Sequence, residues 1–362
     1  MVTPDYPPAV GGIQRLLHRA TSALPNAETR VVTLRSDGWR EFDRANPQPT
    51  RRFPRAPGAA MAANAAFNAQ AVTGGLRWRP DVILNGHVVT GPACAALARR
   101  YRVPSVVYAY AKEIDGRPGL AGATVRASAG CIAISAYTRQ LVAGVAGERT
   151  PIHVIPPGVD VPPQPGAADA AAPTIVTVGR LRDSYKGHDV MLDALVAVRR
   201  AVPDVRWIVL GDGRLREALA AKATALGLGD AVEFRGAVSD AERDRCLAGA
   251  HVFAMPSRYP PAQIGGEGFG IVYLEAAAWG LPAVAGDVGG PRDAVEHEAT
   301  GLLVDPEDAA SVAASLVRLL SDLGYARRLG LRGRERASEQ FTWDAIGARV
   351  EDVLRTHAFA AA

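Results

Sequence analysis

The chain has 362 residues, enough for two domains with complete cores, and 48% hydrophobic against 22% charged residues is a globular composition. No window approaches 18 uninterrupted apolar residues, which argues against a transmembrane helix, and the first residues lack the basic and apolar regions of a signal peptide. The cysteines Cys94, Cys131 and Cys246 have no metal-ligand spacing and form no disulfide framework, so a reducing cytoplasm is expected.

The net charge of +4 is unevenly distributed along the chain. Residues 1–160 carry 19 Lys and Arg against 10 Asp and Glu, whereas the remainder carries 22 against 27. A basic half suggests an anionic partner such as a lipid headgroup, a membrane surface or a phosphorylated acceptor. A solvated arginine-rich surface explains the same excess equally well. No nucleic-acid partner is expected, because the arginines form no recognisable binding motif.

The first seventeen residues, MVTPDYPPAVGGIQRLL, predict the end of a strand, a loop and a helix that begins near Ile13. Gly11 and Gly12 allow the backbone to approach a ligand closely, next to the free N–H groups of the helix. Only Met1 and Val2 precede the loop. The first strand is therefore very short, or the true start lies upstream.

Apolar runs that alternate with helix-sized segments follow, and they predict βαβ units with a parallel sheet. The predicted strands are Thr29–Leu34, Asp81–Asn85, Ser105–Tyr110, Cys131–Ser135 and His153–Ile155. Parallel sheets bind ligands beyond the carboxyl ends of their strands. The polar residues at or just past these ends are His87, Tyr110, Lys112, Glu113 and Ser135.

Residues 51–79 form an irregular segment with arginines at both ends and an apolar middle. Such a segment can lie on an anionic bilayer, and a helix that covers the sheet is the alternative.

Residues 161–173 lack periodicity, and this predicts a linker. In the second half of the chain, apolar runs again alternate with helix-sized segments. Its predicted strands are Thr174–Val178, Arg206–Leu210, Val232–Arg235, Val252–Met255, Ala283–Ala285 and Leu302–Val304, and its predicted helices include Val190–Ala201, Arg214–Leu226 and a final one to about His357.

The stretch Arg258–Pro291 passes from a Pro- and Gly-rich loop into the apolar helix-like run Ile271–Trp279. A loop followed by a helix points free N–H groups and a positive dipole end at an anion such as a phosphate. Glu267 and Glu275 are eight residues apart, or roughly 12 Å at the helical rise. A buried carboxylate such as Glu275 needs a hydroxyl or a cation to bind. A capping acid with a structural salt bridge is the plainer interpretation of the pair.

The block GEGFGIVYLEAAAWGLP resembles the Glu-x7-Glu signature of the retaining, family-4-type glycosyltransferases, and is similar to its phosphatidylinositol mannosyltransferase branch. The resemblance implies an α/β protein of the GT-B fold, with two facing, Rossmann-like, doubly wound parallel-sheet domains and a cleft between them. Residues 1–160 would bind the acceptor, 161–173 would link, and 174–340 would bind the nucleotide-sugar donor. Residues 341–362 would return as a helix to the first domain.

The resemblance also implies the donor site. Thr177–Gly187 is similar to the family's Gly-Arg-Leu…Lys-Gly element, in which Arg180 and Lys186 would stabilise the departing diphosphate. Since only three of 41 cationic residues are lysines, a lysine here looks required. Glu267 would orient the sugar and Glu275 would hold the ribose. The remaining expected donor-binding residues are Gly11, Gly12, Gly179, Gly211, Asp212, Gly236, Ala237, Gly268, Phe269, Gly270 and Ile271.

The first domain departs from the family pattern, because Tyr110 stands at or near the position of a histidine close to the reacting sugar. Tyrosine is a poor general base near neutral pH. Tyr110 and His87 are both candidate catalytic residues, with a structural histidine as the alternative for His87. No Asp-x-Asp, dinucleotide-binding or P-loop pattern occurs, so neither a metal nor a cofactor is expected.

The sequence thus predicts transfer of a hexose from a nucleotide-diphosphate sugar to a hydroxyl of a lipid, glycan or small-molecule acceptor. GDP-mannose is the first donor expected, with UDP-glucose and UDP-N-acetylglucosamine next. A cytoplasmic location is expected, with peripheral contact to the inner face of the cell membrane through the basic half. The alternatives are a GT-B-fold sugar-nucleotide epimerase and a nucleotide-sugar binding protein that has lost catalysis.

Overall fold

The computed structural model describes residues 1–259 and 266–360, which divide into two compact units. The first unit comprises Met1–Gly158 with Trp343–Ala362, and the second comprises Val159–Thr342. Residues 161–173, predicted as a linker, lie inside the second unit. The Gly166 N–H donates to the carbonyl of Trp279 at 2.7 Å, and the Ala168 N–H donates to that of Ala248 at 3.1 Å. The division therefore precedes the predicted linker.

The first unit is built on parallel strands with helices between them. Its strands are β1 (Val31–Leu34), β2 (Thr50–Phe53), β3 (Ile83–Asn85), β4 (Ser105–Ala109), β5 (Gly130–Ala133) and β6 (Ile152–Val154). Its helices begin with α1 (Gly12–Ser22), α2 (Trp39–Ala45), α3 (Ala60–Gly75), α4 (Gly91–Tyr101), α5 (Ala111–Gly116), α6 (Pro118–Arg126) and α7 (Ala136–Ala146). The strands pair in the orders β1-β2 and β3-β4-β5-β6.

Residues 1–3 join these two groups of strands. Val2 pairs in parallel with Val32 of β1 on one side and with Asn85 of β3 on the other. Its N–H donates to the carbonyl of Leu84 at 2.9 Å, and its carbonyl accepts from the N–H of Gly86 at 2.9 Å. Because β1 and β3 lie on opposite sides of Val2, the strand order reverses here, which is where α/β sheets place ligands.

The prediction of an irregular segment over residues 51–79 is wrong for most of that range. Residues 50–53 form β2, and residues 60–75 form α3, whose sequence AMAANAAFNAQAVTGG contains no charged residue. Arg52 is buried in the unit with its guanidinium on the carboxylate of Asp43. The arginines of this segment therefore do not make α3 a basic amphipathic helix, and membrane contact remains a prediction.

The second unit is built on a six-stranded parallel sheet, and helices alternate with its strands along the chain. Its strands are β7 (Thr174–Val178), β8 (Arg206–Leu210), β9 (Val232–Gly236), β10 (Val252–Met255), β11 (Ala283–Gly286) and β12 (Gly301–Val304), in the order β12-β11-β10-β7-β8-β9. Its helices are α8 (His188–Ala201), α9 (Arg216–Ala225), α10 (Asp240–Gly249), α11 (Ile271–Ala278), α12 (Pro291–Ala294), α13 (Ala309–Ser321) and α14 (Leu323–Gln340).

The core and strand order of the second unit fix where a ligand can bind. Trp207 of β8 is fully buried among aliphatic side chains such as Leu192 and Leu195 of α8. The chain proceeds from β7 to β8 on one side, and β10 pairs with the other side of β7. The strand order therefore reverses between β7 and β10, and the loops after these two strands flank the expected crevice.

The last helix, α15 (Trp343–Ala360), belongs to the first unit. Gly158 lies so close to the indole of Trp343 that a Cβ at this position would come within 2.6 Å of the ring. The Asn26 N–H also donates to the carboxylate of Glu351 at 2.8 Å, which ties the region after α1 to α15. Among residues 1–259 and 266–360, no helix has the length and apolar character needed to cross a membrane.

Candidate functional site

The loops after β7, β8 and β9 form one rim at the carboxyl edge of the second sheet. The Gly179 N–H donates to the carbonyl of Leu210 at 2.9 Å, and the Gly211 N–H donates to that of Gly236 at 2.8 Å. Asp212 accepts from the N–H of Leu181 through its carbonyl at 2.9 Å. The predicted donor residues Gly179, Gly211, Asp212 and Gly236 therefore lie together, with Ala237 exposed next to them.

Gly211→Ala is expected to lower the free energy of unfolding by about 2 kcal/mol. Gly211 has a φ of +139°, and a Cβ here would lie 2.0 Å from the carbonyl oxygen of Gly179, so the two loops would have to separate. Urea denaturation measures the change. Gly229→Ala is the matched control, since among the described residues no heavy atom beyond its chain neighbours lies within 4 Å of its added Cβ. Equal midpoints for the two variants would contradict this expectation.

Lys186 lies at the reversal of strand order, in a single helical turn, Ser184–Lys186, before α8. Its side chain is only 10% exposed, and its Nζ lies 2.9 Å from the Glu267 carboxylate and 3.6 Å from the Met255 sulfur. Gly179 lies against its aliphatic stem, where a Cβ would be 3.1 Å from Cδ. A buried ammonium is thus fixed between the loops after β7 and β10.

Arg180 is placed differently from Lys186, although the sequence motif pairs them. Its side chain is exposed and makes no ion pair with any residue in the described part of the chain. Its positive charge is still close enough to affect the pKa of Tyr185. Burial raises the pKa of Tyr185, Glu267 raises it further, and Arg180 opposes both. Arg180 is therefore an exposed cation near the Lys186–Glu267 pair.

The start of α11 forms the other wall of this site. Gly270 precedes the helix with a φ of +86°, a left-handed conformation that favours glycine. The Gly290 N–H donates to the Glu267 carbonyl at 3.2 Å, and a Cβ on Gly290 would lie 2.2 Å from the Gly268 carbonyl. Phe269 is buried against Phe341, with ring centroids 6.2 Å apart. The first N–H groups of α11, from Ile271 on, are thereby held at the site. Residues 260–265 of the predicted loop lie outside the described residues.

Glu275 is buried one turn into α11, whereas Glu267 lies in the loop before this helix. The estimate of roughly 12 Å between them assumed one helix throughout and does not apply. The structure also shows a residue that the sequence analysis missed. Arg243 of α10 points NH1 toward Glu275, at 3.9 Å from Oε1. No motif marks Arg243, so only its place in the fold identifies it.

The first unit holds a second polar cluster at its own reversal of strand order. His87, after β3, has its Nε2 2.8 Å from the Glu113 carboxylate and 3.7 Å from that of Asp5. Gln14 of α1 donates to the other Asp5 oxygen at 2.9 Å. Burial lowers the pKa of His87, but Glu113 and Asp5 raise it by more, so it lies above the usual value. Burial raises the pKa of Glu113, against the effect of His87.

The other predicted residues of the first unit are less accessible. Tyr110 is buried and stacks on Tyr108, and its hydroxyl has no hydrogen-bond partner among the described residues. Burial raises its pKa well above the usual value, and Glu113 raises it further. Gly11 and Gly12 lie at the start of α1. They belong to the first unit, whereas the other expected donor residues belong to the second.

The chain matches two family profiles that together cover most of it. Residues 172–322 match the profile "Glycosyl transferases group 1", and residues 10–162 match "Glycosyltransferase Family 4". These ranges contain the second-unit site and the first-unit cluster, apart from Asp5.

The chain is also similar over nearly its whole length to characterised proteins. It is 31% identical to a Mycobacterium tuberculosis GDP-mannose-dependent alpha-(1-6)-phosphatidylinositol monomannoside mannosyltransferase, over 98% of this chain and 97% of that one. It is 30% identical to a glycogen synthase of the same species, over 98% and 93%. The crystal structure of Anabaena HepE with UDP and glucose superposes with a TM-score of 0.81 at 21% identity, over 98% and 99%, and shows the GT-B fold. The chain belongs to the glycosyltransferases of group 1 and family 4.

Proposed function

We propose that the protein is a metal-independent, retaining hexosyltransferase that uses a nucleotide-diphosphate sugar, with GDP-mannose as the first donor to test. The observation that carries the proposal is the buried Lys186–Glu267 pair, at 2.9 Å, beside the first turn of α11. A fixed cation and a set of helix N–H groups suit a diphosphate, and the carboxylate between them suits sugar hydroxyls.

Each donor residue would have a distinct task. Lys186 and Arg180 would neutralise the charge that develops on the departing diphosphate, which is where electrostatic stabilisation accelerates a reaction. The backbone of residues 268–271 would receive a phosphate, and Glu267 would accept hydrogen bonds from the hexose. Glu275 would accept from the ribose hydroxyls. Before donor binds, the Lys186–Glu267 pair holds both side chains in place.

The acceptor hydroxyl would be bound by the cluster of the first unit. Asp5 and His87 are partly accessible, whereas Glu113 and Tyr110 are buried, so the first two would contact an acceptor. Tyr110 keeps its proton near neutral pH because its pKa is raised, and it can act only as a hydrogen-bond donor or acceptor. In the retaining reaction, an oxygen of the departing diphosphate would then take the proton of the acceptor hydroxyl.

The relatives guide the choice of donor. The mycobacterial relative is named for GDP-mannose and a phosphatidylinositol monomannoside, which favours mannosyl transfer to a lipid-linked sugar. The glycogen synthase relative and the UDP and glucose in the HepE crystal structure support a glucosyl donor as the second candidate. The positive excess of residues 1–160 supports peripheral contact with anionic membrane, which cosedimentation with anionic and neutral vesicles would test.

A nucleotide screen by thermal unfolding is expected to select one donor class. A nucleotide at one hundred times its Kd should stabilise the protein by about 2.7 kcal/mol. GDP, UDP, ADP and their sugar conjugates are compared, and the selected donor is then incubated with phosphatidylinositol monomannoside or a glucan. NMR of the anomeric carbon in the product reports retention, and treatment with EDTA should leave the rate unchanged.

Five outcomes would count against parts of the proposal. No thermal shift with any nucleotide would refute the donor site. Inversion at the anomeric carbon, or a rate lost in EDTA and restored by a divalent ion, would refute the mechanism. Conversion of a UDP-sugar without acceptor would identify an epimerase instead, and donor binding without any turnover would identify a binding protein.

A further inference from the structure

Two segments of the second unit meet beside Lys186. One is the turn of residues 185–189, which carries Lys186 into the start of α8, and the other is the segment of residues 256–258, which follows β10. They come from the two sides of the reversal of strand order, because the first follows β7 and the second follows β10. Their contact therefore sets the position of Lys186 relative to the loop that leads to α11.

The backbones of the two segments are in direct contact. The Arg258 N–H donates to the carbonyl of Tyr185 at 2.7 Å. Gly187 has a φ of +76°, and a Cβ on this residue would lie 2.2 Å from the carbonyl oxygen of Pro256. The turn is thus packed onto the end of the strand, with no room for a side chain at position 187.

A side-chain ion pair joins the same two segments. The Arg258 NH2 lies 2.6 Å from Oδ2 of Asp189, in the first turn of α8. The side chain of Arg258 is only 14% exposed, whereas that of Asp189 is 41% exposed. Arg258 thus holds the turn twice, by its backbone N–H before Lys186 and by its guanidinium after it. Of these two contacts, only the ion pair can be removed by a substitution.

The charges of this pair suit an anion site. A carboxylate in the first turn of a helix is favourable for the helix dipole, but it competes with a bound phosphate for the same positive field. Asp189 lies only three residues after Lys186, and the guanidinium of Arg258 offsets its charge. Apolar side chains of similar volume could join two segments equally well where no anion has to bind. An ion pair here therefore indicates more than packing.

We infer that Arg258 is a positioning residue that fixes the turn carrying Lys186, so that the ammonium lies where charge develops on the departing diphosphate. This inference rests on the proposed function, in which Lys186 stabilises that diphosphate. The sequence analysis placed Arg258 at the start of the loop before α11 and gave it no role.

The test is a double-mutant cycle between Arg258 and Lys186, measured with the full chain. Calorimetry with GDP or UDP, whichever thermal unfolding selects, gives the Kd, and transfer from the sugar conjugate of that nucleotide gives kcat. Arg258→Ala should lower kcat about tenfold and raise the Kd about threefold or less, because a displaced cation costs more in the transition state than in the ground state. In the Lys186→Ala background, the same substitution should change kcat by less than about twofold, because the residue that it positions is gone.

Three further variants separate positioning from other roles. Asp189→Ala removes the partner of Arg258 and should reproduce the effect of Arg258→Ala, and the two substitutions together should lower kcat no further. Arg258→Lys keeps a cation opposite the carboxylate and should recover most of kcat. Arg199→Ala breaks the pair with Asp230 at the other end of α8, where the two side chains are 32% and 71% exposed, and it should leave kcat unchanged. Arg258→Gln replaces the alanine variant if that variant does not fold.

The outcomes distinguish the inference from the function on which it rests. A loss of kcat in Arg258→Ala that disappears in the Lys186→Ala background supports the inference. An equal loss in both backgrounds, or a wild-type kcat in Arg258→Ala, overturns it and leaves the donor site standing. A Kd that rises equally in both backgrounds, with no effect of Asp189→Ala, shows that Arg258 binds the nucleotide directly and also overturns it. If neither nucleotide binds, or if Lys186→Ala keeps the wild-type kcat, the proposed role of Lys186 is wrong and the inference falls with it.

Discussion

Lys186→Ala is expected to reduce kcat by about 10²–10³-fold, which corresponds to roughly 3–4 kcal/mol of lost transition-state stabilisation. The ammonium is buried and fixed by Glu267 and Met255, so the substitution removes a buried positive charge from the site. Arg180 is close, but it is exposed and would act through solvent. Steady-state transfer with the donor selected by thermal unfolding measures the effect.

Two further variants sharpen this test. Lys222→Ala removes a lysine from α9 whose side chain is 35% exposed and pairs with Asp193 at 2.7 Å, and it should leave kcat unchanged. Lys186→Arg keeps the charge but enlarges the head group where Gly179 already lies against the stem, so it should recover little activity. If the alanine variant turned over at more than a tenth of the wild-type rate, Lys186 would not be the main electrostatic residue.

Arg52→Ala is expected to lower the free energy of unfolding of the first unit by about 3–5 kcal/mol. The guanidinium of Arg52 is 1% exposed and contacts Asp43 with three donor–acceptor distances between 2.8 and 3.0 Å. It also donates to the carbonyls of Leu34 at 3.2 Å and Pro7 at 2.6 Å. Its removal would leave a carboxylate and two carbonyls without these partners.

Urea denaturation of the full chain is the measurement, with Arg44→Ala on α2 as the exposed control next to Asp43. A double-mutant cycle with Asp43→Asn separates the ion pair from the two carbonyl contacts. A loss below about 1 kcal/mol would show that the site relaxes or admits water. The donor affinity of the second unit should not change, because all the residues involved belong to the first.

Most strands of the second unit could be predicted because they are short apolar runs that end at a glycine or a turn, whereas β9, with the sequence VEFRG, alternates apolar and charged residues. Thr174–Val178 and Arg206–Leu210 have the bounds predicted, and β9 extends one residue beyond its predicted end. The alternation of these runs with helical stretches indicated a parallel sheet. Its strand order, and so the place of the crevice between β7 and β10, required the structure.

The strand β2 could not be predicted, because its sequence TRRF contains two consecutive arginines. Arg52 is buried there because the carboxylate of Asp43, nine residues earlier in the chain, and the carbonyls of two other segments surround it. Periodicity reports which residues are apolar. It cannot predict the burial of a charged side chain whose partners are brought together only by the fold.

The candidate site was predictable where a motif carries it and not elsewhere. Lys186, Glu267 and Glu275 came from resemblance, and the structure adds that Lys186 and Glu267 contact each other. The sequence analysis assigned the same role to Arg180 and Lys186, whereas Arg180 is exposed and Lys186 is buried. Arg243 has neither a motif nor a rare residue type to mark it, and its relation to Glu275 exists only between two packed helices.

The composition of the first unit from Met1–Gly158 and Trp343–Ala362 has a consequence for biosynthesis. The ribosome produces α15 last, so the first unit cannot bury Trp343, Ile346 and Val350 until almost the whole chain has emerged. The second unit, which is continuous in sequence, is complete earlier and can fold while the first still waits for its last helix. In the order of synthesis, the unit that begins first therefore finishes last, and a nascent chain stalled before residue 343 would carry a complete second unit and a first unit without α15.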